Sequence, residues 1–288
     1  MRNKLILGTA QLGMMYGINS ISKPSSVEVS KILSKAWEND ISSLDTAPSY
    51  GDAMVQIGSY HQLNPDHRFS INSKIIVDRS LEEIEHQLYA DLEVLKVDSY
   101  DTILLHRFTD LRDTAVMDKM GSIRDTGVFK HLGVSIYTRS QFSSAIANEH
   151  ISVIQFPYNL LDNDAVKGDL IYSAKERDIL LQARSVFLQG LLFKVPQKLD
   201  PYFKSLTEAL QSLKDLSRAH SLTVMHMALN YVLHNKYIDS VIMGVDNSSQ
   251  LKSNCSSVLQ KFSPSLVMQI SEILPPDIEL LNPTNWPE

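Results

Sequence analysis

Short apolar runs alternate along the chain with stretches in which apolar residues recur every three or four positions. The first run, 5–11, ends in small residues, which is typical of a buried strand. The stretch 24–40 follows it and places Val29, Ile32 and Leu33 on one helical face. The same strand-then-helix order recurs to the end of the chain.

This rhythm predicts strands at 5–11, 41–47, 69–75, 99–106, 131–137, 153–159, 179–185 and 239–245. It predicts helices at 24–40, 53–63, 80–92, 113–126, 139–148, 165–177, 202–234 (broken near Ser221), 248–260 and 264–274. Ser80 and Glu83 form a capping-box pattern before the third helix. The stretch 194–201 is expected to be a loop.

Regular alternation of strand and helix predicts a parallel sheet. Eight such units in about 250 residues are the size of a (β/α)8 TIM barrel, which we expect as a single domain over residues 1–288. The alternative is an open doubly wound sheet. No G-x-G-x-x-G motif follows the first strand, and Met14 stands where a phosphate-binding loop begun at Gly8 needs lysine.

Composition narrows the classes of function. The net charge is −6, which argues against nucleic acid as a partner. The chain has one cysteine, Cys255, so no intrachain disulfide is possible and a reducing compartment is favoured. No apolar stretch approaches the roughly 20 residues of a membrane span, and the apolar run 5–7 is too short for a signal peptide. We expect a cytoplasmic protein with no membrane partner.

Ionisable side chains follow three consecutive predicted strands. Asp45 ends the second strand and Tyr50 lies in its loop, Lys74 ends the third strand, and His106 ends the fourth. In a barrel these ends meet at one mouth, where active sites lie. Taken singly, the aspartate is typical of a helix cap and the histidine of a hydrogen-bonded core residue. Together they fit one mechanism.

That mechanism is proton transfer to a carbonyl during its reduction. A tyrosine is a weak acid near pH 7, and a neighbouring ammonium stabilises its phenolate form. An aspartate keeps the lysine charged, and a histidine can hydrogen-bond the substrate oxygen. No metal is needed, and the nine histidines form no H-E-x-x-H motif or Cys/His cluster.

Three segments resemble motifs of the aldo/keto reductases: DTAPSYG (45–51), NSK (72–74) and DTILLH (101–106). The resemblance extends over roughly residues 5–260. It implies that Asp45, Tyr50, Lys74 and His106 are the catalytic tetrad, with Tyr50 as general acid/base. It also implies reduction of an aldehyde or ketone by NADP(H) or NAD(H), with NADP(H) favoured by the family resemblance itself.

The resemblance carries over a nicotinamide site. Gly8 and Thr9 end the first strand, Ser135 matches a carboxamide-binding serine, and Gln155 matches a carboxamide-binding glutamine. Ile136 departs from the usual asparagine. The segment 183–192 places Arg184 where a tyrosine is usual, and the backbone amides from Leu188 to Gly190 are expected to face the pyrophosphate. The Arg184 guanidinium can stack on a ring or bind an anion, so this residue can contact the cofactor, the substrate or both.

The segment 242–254 resembles the part of the family that holds the adenosine end. Gly244, Asp246, Ser248, Gln250 and Asn254 are the cofactor residues this implies, with Ser248 opening a helix that favours phosphate. Family members that prefer NADPH usually carry a lysine or arginine here. Asp246 repels a 2′-phosphate and can accept a hydrogen bond from a free ribose 2′-hydroxyl, which favours NADH; the alternative is that it only caps the helix. Lys252 can still reach a 2′-phosphate, so NADPH remains an alternative.

Substrate-lining candidates come from the loops after the strands: Met14, Tyr16, Pro48, Arg107 and Tyr158. Trp286 joins them if the short tail folds back. This mixture of polar and aromatic groups favours a sugar or another hydroxylated carbonyl.

We expect the protein to be a monomer. Two other kinds of function remain alternatives to the reductase. One is a Schiff-base lyase in which Lys74 attacks a carbonyl, although a lysine paired with Asp45 is a poor nucleophile. The other is a cofactor-binding regulatory or sensor subunit with little turnover.

Overall fold

Eight parallel strands close into a barrel in this computed structural model, which describes residues 1–18, 22–78 and 80–287. The strands are β1 (Leu5–Gly8), β2 (Ser43–Asp45), β3 (Ser70–Ile75), β4 (Tyr100–Leu105), β5 (Phe129–Ser135), β6 (Val153–Pro157), β7 (Leu180–Arg184) and β8 (Ser240–Gly244). They pair in chain order, and β1 also pairs with β8. The predicted TIM barrel is confirmed, and this closure excludes an open doubly wound sheet.

Helices surround the barrel. They are α1 (Ala10–Gly13), α2 (Ser26–Glu38), α3 (Ala53–Leu63), α4 (Leu81–Leu95), α5 (Thr114–Asp125), α6 (Arg139–Ala147), α7 (Asp164–Lys175), α8 (Thr207–Ala219), α9 (Val224–His234), α10 (Ser248–Ser256) and α11 (Pro264–Ser271). None of the helices in the described ranges is long and apolar enough to cross a membrane.

The helices form where periodicity and capping agree. In α2, Val29, Ile32 and Leu33 are buried against the barrel, and the Ser25 side chain caps the helix by accepting from the Glu28 amide. The capping box predicted at Ser80 and Glu83 is present at the start of α4.

Two predicted elements differ from the structure. The strand predicted at 5–11 ends at Gly8, because the chain turns at Thr9 into the short helix α1. The helix predicted at 202–234 is a 3₁₀ turn at Pro201–Leu206 followed by α8 and α9. The expected break lies between α8 and α9, where Ser221 has a φ of 53° that an α-helix does not accommodate.

Polar side chains concentrate at the carboxyl end of the barrel. Asp45, Lys74, Gln155 and Gln182 are all buried although the strands around them are apolar. Buried polar groups need partners. Burying these polar groups costs free energy of folding, so their concentration at this end of the barrel indicates a functional site.

Candidate active site

A buried ion pair lies at the centre of the barrel mouth. Nζ of Lys74 lies 2.5 Å from Oδ1 of Asp45, and the two residues are 3% and 4% exposed. Nε2 of Gln155 donates to the other oxygen, Oδ2, at 2.7 Å. Burial acts to lower the pKa of Lys74, but attraction to Asp45 and then to Tyr50 outweighs it and holds that pKa above its ordinary value. Lys74 is therefore an ammonium at neutral pH.

Tyr50 lies beside this ammonium. Nζ of Lys74 is 5.1 Å from the centre of the Tyr50 ring. Tyr50 sits in the loop between β2 and α3, where its amide donates to the Ala47 carbonyl at 3.0 Å. A phenol next to a buried ammonium has its phenolate form stabilised, which is the requirement for a proton donor at neutral pH.

Two glycines let the Tyr50 loop pack closely against the loop after β1. A Cβ on Gly13 would lie 1.9 Å from the Tyr50 carbonyl oxygen, and one on Gly51 would lie 2.2 Å from the Gly13 carbonyl oxygen. Gly51 also has a φ of +56°, which favours glycine. Side chains at either position would displace the segment that carries Tyr50.

His106 follows β4, and its amide donates to the Ile75 carbonyl at 2.8 Å. Burial, followed by repulsion from Lys74 and Arg184, lowers the pKa of His106 to about 4. The imidazole is consequently neutral at physiological pH. A neutral ring presents one N–H donor and one acceptor nitrogen.

Arg184 lies at the end of β7 with its guanidinium 4.0 Å from the centre of the Tyr137 ring. It donates to the Ile136 carbonyl at 2.9 Å and to the Ser185 hydroxyl at 3.4 Å. Both acceptors are neutral, and no acidic partner lies within ion-pair distance among the described residues. The cavity therefore contains a positive charge that the protein does not neutralise by a salt bridge.

These side chains face one cavity of about 550 Å³. Of the residues predicted from the sequence, those on its wall are Gly8, Thr9, Tyr16, Asp45, Tyr50, Lys74, His106, Ser135, Gln155, Arg184, Gly190, Gly244, Asp246, Gln250 and Asn254. The cavity extends from Asp45, Tyr50, Lys74 and His106 past Gly244 to α10, and the end at α10 is called the distal end below.

Two predicted cofactor residues lie off this wall. Leu188 is fully buried, and its amide donates to the Ser185 carbonyl instead of facing the cavity. The amide and the hydroxyl of Ser248 both donate to Oε1 of Glu28, at 2.7 Å each. Asn247, not Asp246, caps α10 by accepting from the Gln250 amide at 2.9 Å.

Tyr158 was predicted to line the substrate pocket, but it does not lie on the cavity wall. Its side chain is fully buried behind the barrel wall, where the hydroxyl donates to Asp164 at 2.6 Å and the ring stacks on Tyr231. The exposed residues Met14, Pro48 and Arg107 also lie off the cavity wall, and Trp286 packs against Phe203 instead of folding back over the mouth.

Sequence reasoning missed several residues of the wall: Gln11, Tyr137, Phe187, Gln189, Phe193, Met225 and Ser253. It also missed Gln182, whose Oε1 accepts from Gln155 at 3.1 Å. Gln182 could have been found, because it lies two residues before Arg184 on β7 and alternate strand residues share a face. The contact of Glu28 with Ser248 joins residues 220 positions apart and has no local signal.

The fold and sequence of this chain match known proteins over most of its length. D-threo-aldose 1-dehydrogenase from Pseudomonas sp. is 22% identical in an alignment that covers 84% of this chain and 86% of the relative. An aldo-keto reductase from Bacillus halodurans, solved in its holo form, has a TM-score of 0.76 at 18% identity, covering 94% of this chain and 91% of its own. Glycerol dehydrogenase from Gluconobacter oxydans has a TM-score of 0.73 at 17% identity, covering 94% and 90%.

A model of the aldo/keto reductase family matches residues 4–275. The match includes all eight strands of the barrel and the whole cavity wall described above. The chain therefore belongs to the aldo/keto reductase family, a family of oxidoreductases.

Proposed function

We propose that this protein is an NAD(P)H-dependent oxidoreductase that reduces the aldehyde or ketone of a small hydroxylated compound to an alcohol. The observation that carries the proposal is the buried Asp45–Lys74 ion pair beside Tyr50, with a neutral His106 on the same cavity. Each of these features answers one chemical requirement of carbonyl reduction.

Tyr50 is the proton donor. The ammonium of Lys74 stabilises the phenolate that remains after Tyr50 gives its proton to the carbonyl oxygen. Asp45 keeps Lys74 charged and, held in turn by Gln155, fixes its position. Tyr16, which also lines the cavity, has its pKa raised by burial and then by Tyr50, so it stays protonated at neutral pH.

His106 positions the substrate. As a neutral ring it donates one hydrogen bond to the carbonyl oxygen and adds no charge beside the ammonium of Lys74. This hydrogen bond strengthens as negative charge develops on the oxygen, which lowers the barrier.

The cavity fits a nicotinamide cofactor. Oε1 of Gln155 is buried and has no hydrogen-bond partner among the described residues, so it is free to accept from a carboxamide N–H. Ser135 lines the same part of the wall and supplies a hydroxyl. When bound there, reduced nicotinamide supplies the hydride for the reaction.

A sugar-like substrate is favoured by the mouth of the cavity. Phe187 and Phe193 pack together on its wall, beside the polar side chains of Tyr16 and Gln189. Aromatic faces with adjacent hydrogen-bonding groups suit a hydroxylated carbon chain. The name of the Pseudomonas relative, an aldose dehydrogenase, supports the same class.

The test is nucleotide-dependent reduction of a panel of aldoses, hydroxyaldehydes and ketones, with NADPH and NADH supplied separately. Wild type should oxidise reduced nucleotide with at least one substrate. Tyr50→Phe should lower kcat by about 10²- to 10⁴-fold and still bind nucleotide, because only the proton donor is lost. Tyr16→Phe is the matched control and should change mainly KM.

The other two functions predict different results. Trapping of substrate on Lys74 by borohydride, with no need for nucleotide, would indicate the lyase. Tight nucleotide binding without turnover across the whole panel would indicate a regulatory subunit. Lys74 is charged in the folded protein, which makes it a poor nucleophile and favours the reductase.

A further inference from the structure

The distal end of the cavity presents one carboxylate on its wall, and a second, Glu28, lies off the wall on Ser248. Asp246 lies on the cavity wall with Gln250 and Asn254, at the opposite end from Lys74 and His106. A dinucleotide whose nicotinamide lies at the tetrad places its other nucleoside at this distal end. The charges found here therefore act on the adenosine half of the cofactor.

The carboxylate of Glu28, a residue of α2, contacts the first turn of α10. Its Oε1 accepts from both the amide and the hydroxyl of Ser248 at 2.7 Å, although Glu28 belongs to α2. These hydrogen bonds lower the pKa of Glu28, so it is ionised at neutral pH. Free amides at a helix start attract phosphate, but here a carboxylate of the protein already holds the Ser248 donors.

Asp246 is a second negative group, two residues before Ser248 in the chain. Its amide donates to Oε1 of Gln250 at 2.9 Å, and its Oδ2 accepts from Nε2 of the same side chain at 3.1 Å. Among the described residues, Oδ1 of Asp246 has no hydrogen-bond partner, so it remains available to accept from a ligand hydroxyl.

One lysine pairs with Glu28, and another belongs to α10. Lys31 lies 3.8 Å from Oε2 of Glu28 and is largely exposed, and Lys252 is an exposed residue of α10. Exposed lysines are mobile and hydrated, and their interactions are weak. Among the described residues Asp246 therefore has no ion-pair partner, and Glu28 has only the exposed Lys31.

We propose that Glu28 and Asp246 select for a cofactor with a free ribose 2′-hydroxyl, NAD(H), over its 2′-phosphorylated form. Glu28 withholds the donors of α10 that a phosphate would use, and both carboxylates repel the phosphate. Asp246 offers an acceptor to a hydroxyl. The inference rests on the proposed function, because it assumes that a nicotinamide cofactor occupies the cavity.

The test compares the affinities of NADH and NADPH by isothermal titration calorimetry on the full chain. Wild type should bind NADH at least about tenfold more tightly. Glu28→Gln keeps an oxygen for Ser248 and removes the charge, so it should raise NADPH affinity about five- to tenfold and leave NADH affinity within about twofold. Adding Asp246→Asn should narrow the difference further.

Glu38→Gln is the matched control. Glu38 is the last residue of α2 and pairs with Lys35 on the surface, so removing its charge should leave the affinities for NADH and NADPH unchanged. The fragments 5′-AMP and 2′,5′-ADP isolate the distal end, and wild type should prefer 5′-AMP. Circular dichroism and thermal melting establish that each variant is folded.

Tighter binding of NADPH by wild type, or an affinity ratio that Glu28→Gln leaves unchanged, would overturn the selectivity assigned to these carboxylates while leaving the reductase function intact. Binding of neither nucleotide to folded wild type would overturn the proposed function itself, and the inference with it.

Discussion

At the scale of single residues, the uncommon feature of the site is a histidine kept neutral beside an ammonium. His106 has a pKa of about 4 because burial and the charges of Lys74 and Arg184 disfavour its protonated form. In the unfolded chain a histidine has a pKa near 6.5. The unfolded state therefore binds this proton at a higher pH than the folded state does.

The sign of the resulting pH dependence follows from linkage. The contribution of His106 to stability is fully present above about pH 6.5 and is lost as the pH falls toward about 4. His106→Gln should lose less stability than wild type over this interval in urea denaturation. His150→Gln, a change at an exposed histidine, should behave as wild type. Equal losses in all three proteins would show that His106 is not the titrating group.

The meeting of Asp45, Tyr50, Lys74 and His106 at one cavity could be predicted from the sequence, because each one ends or follows a strand and the barrel brings strand ends together. Tyr158 was predicted wrongly by the same logic. It follows Pro157, the last residue of β6, and its side chain turns outward to Asp164 and Tyr231 instead of toward the mouth. Position after a strand gives proximity to the mouth but not the direction of the side chain.

At the scale of elements, the strands and helices were predictable because periodic apolar residues mark the buried faces. The main errors concerned the ends of the predicted elements. The first predicted strand, for example, ran to residue 11, although β1 ends at Gly8 and α1 begins at Ala10. The packing of α1 against the Tyr50 loop was not predictable, since it depends on the absence of a Cβ at Gly13 and Gly51. A sequence shows where a glycine is but not which backbone approaches it.

Gly13→Ala tests this packing. Because the new methyl would lie 1.9 Å from the Tyr50 carbonyl oxygen, the loop must move, and overpacking of this kind costs about 1–3 kcal/mol. We expect kcat to fall more than tenfold with the barrel still folded. Gly121→Ala in α5, where an added Cβ would meet no atom within 4 Å beyond the helix's own backbone, is the control and should keep activity and slightly raise stability. Full activity in Gly13→Ala would mean that the loop tolerates displacement.

At the scale of the whole molecule, the cavity wall draws on strands from every part of the barrel, from Gly8 of β1 to Gly244 of β8. A ligand that fills the cavity should therefore stabilise the entire fold. At about 100 times its Kd a nucleotide adds about 2.7 kcal/mol, which corresponds to a rise in Tm of about 3–5 °C for a chain of this size.

Differential scanning calorimetry over a series of nucleotide concentrations measures this effect. Tm should rise with the logarithm of concentration, and Tyr50→Phe should show the same rise because it leaves binding in place. A Tm that does not move at nucleotide concentrations well above the measured Kd would mean that binding is not confined to the folded barrel.

Closure of the barrel between β1 and β8 also has a consequence for the nascent chain. Of the eight strands β1 is synthesised first, and its partner β8 ends at Gly244, more than 230 residues later. At about 5–20 residues per second, the apolar edge of β1 waits on the order of 10 to 50 seconds for its partner. An unpaired strand edge is a template for association with other chains, so we expect misassembly during synthesis to begin at this edge.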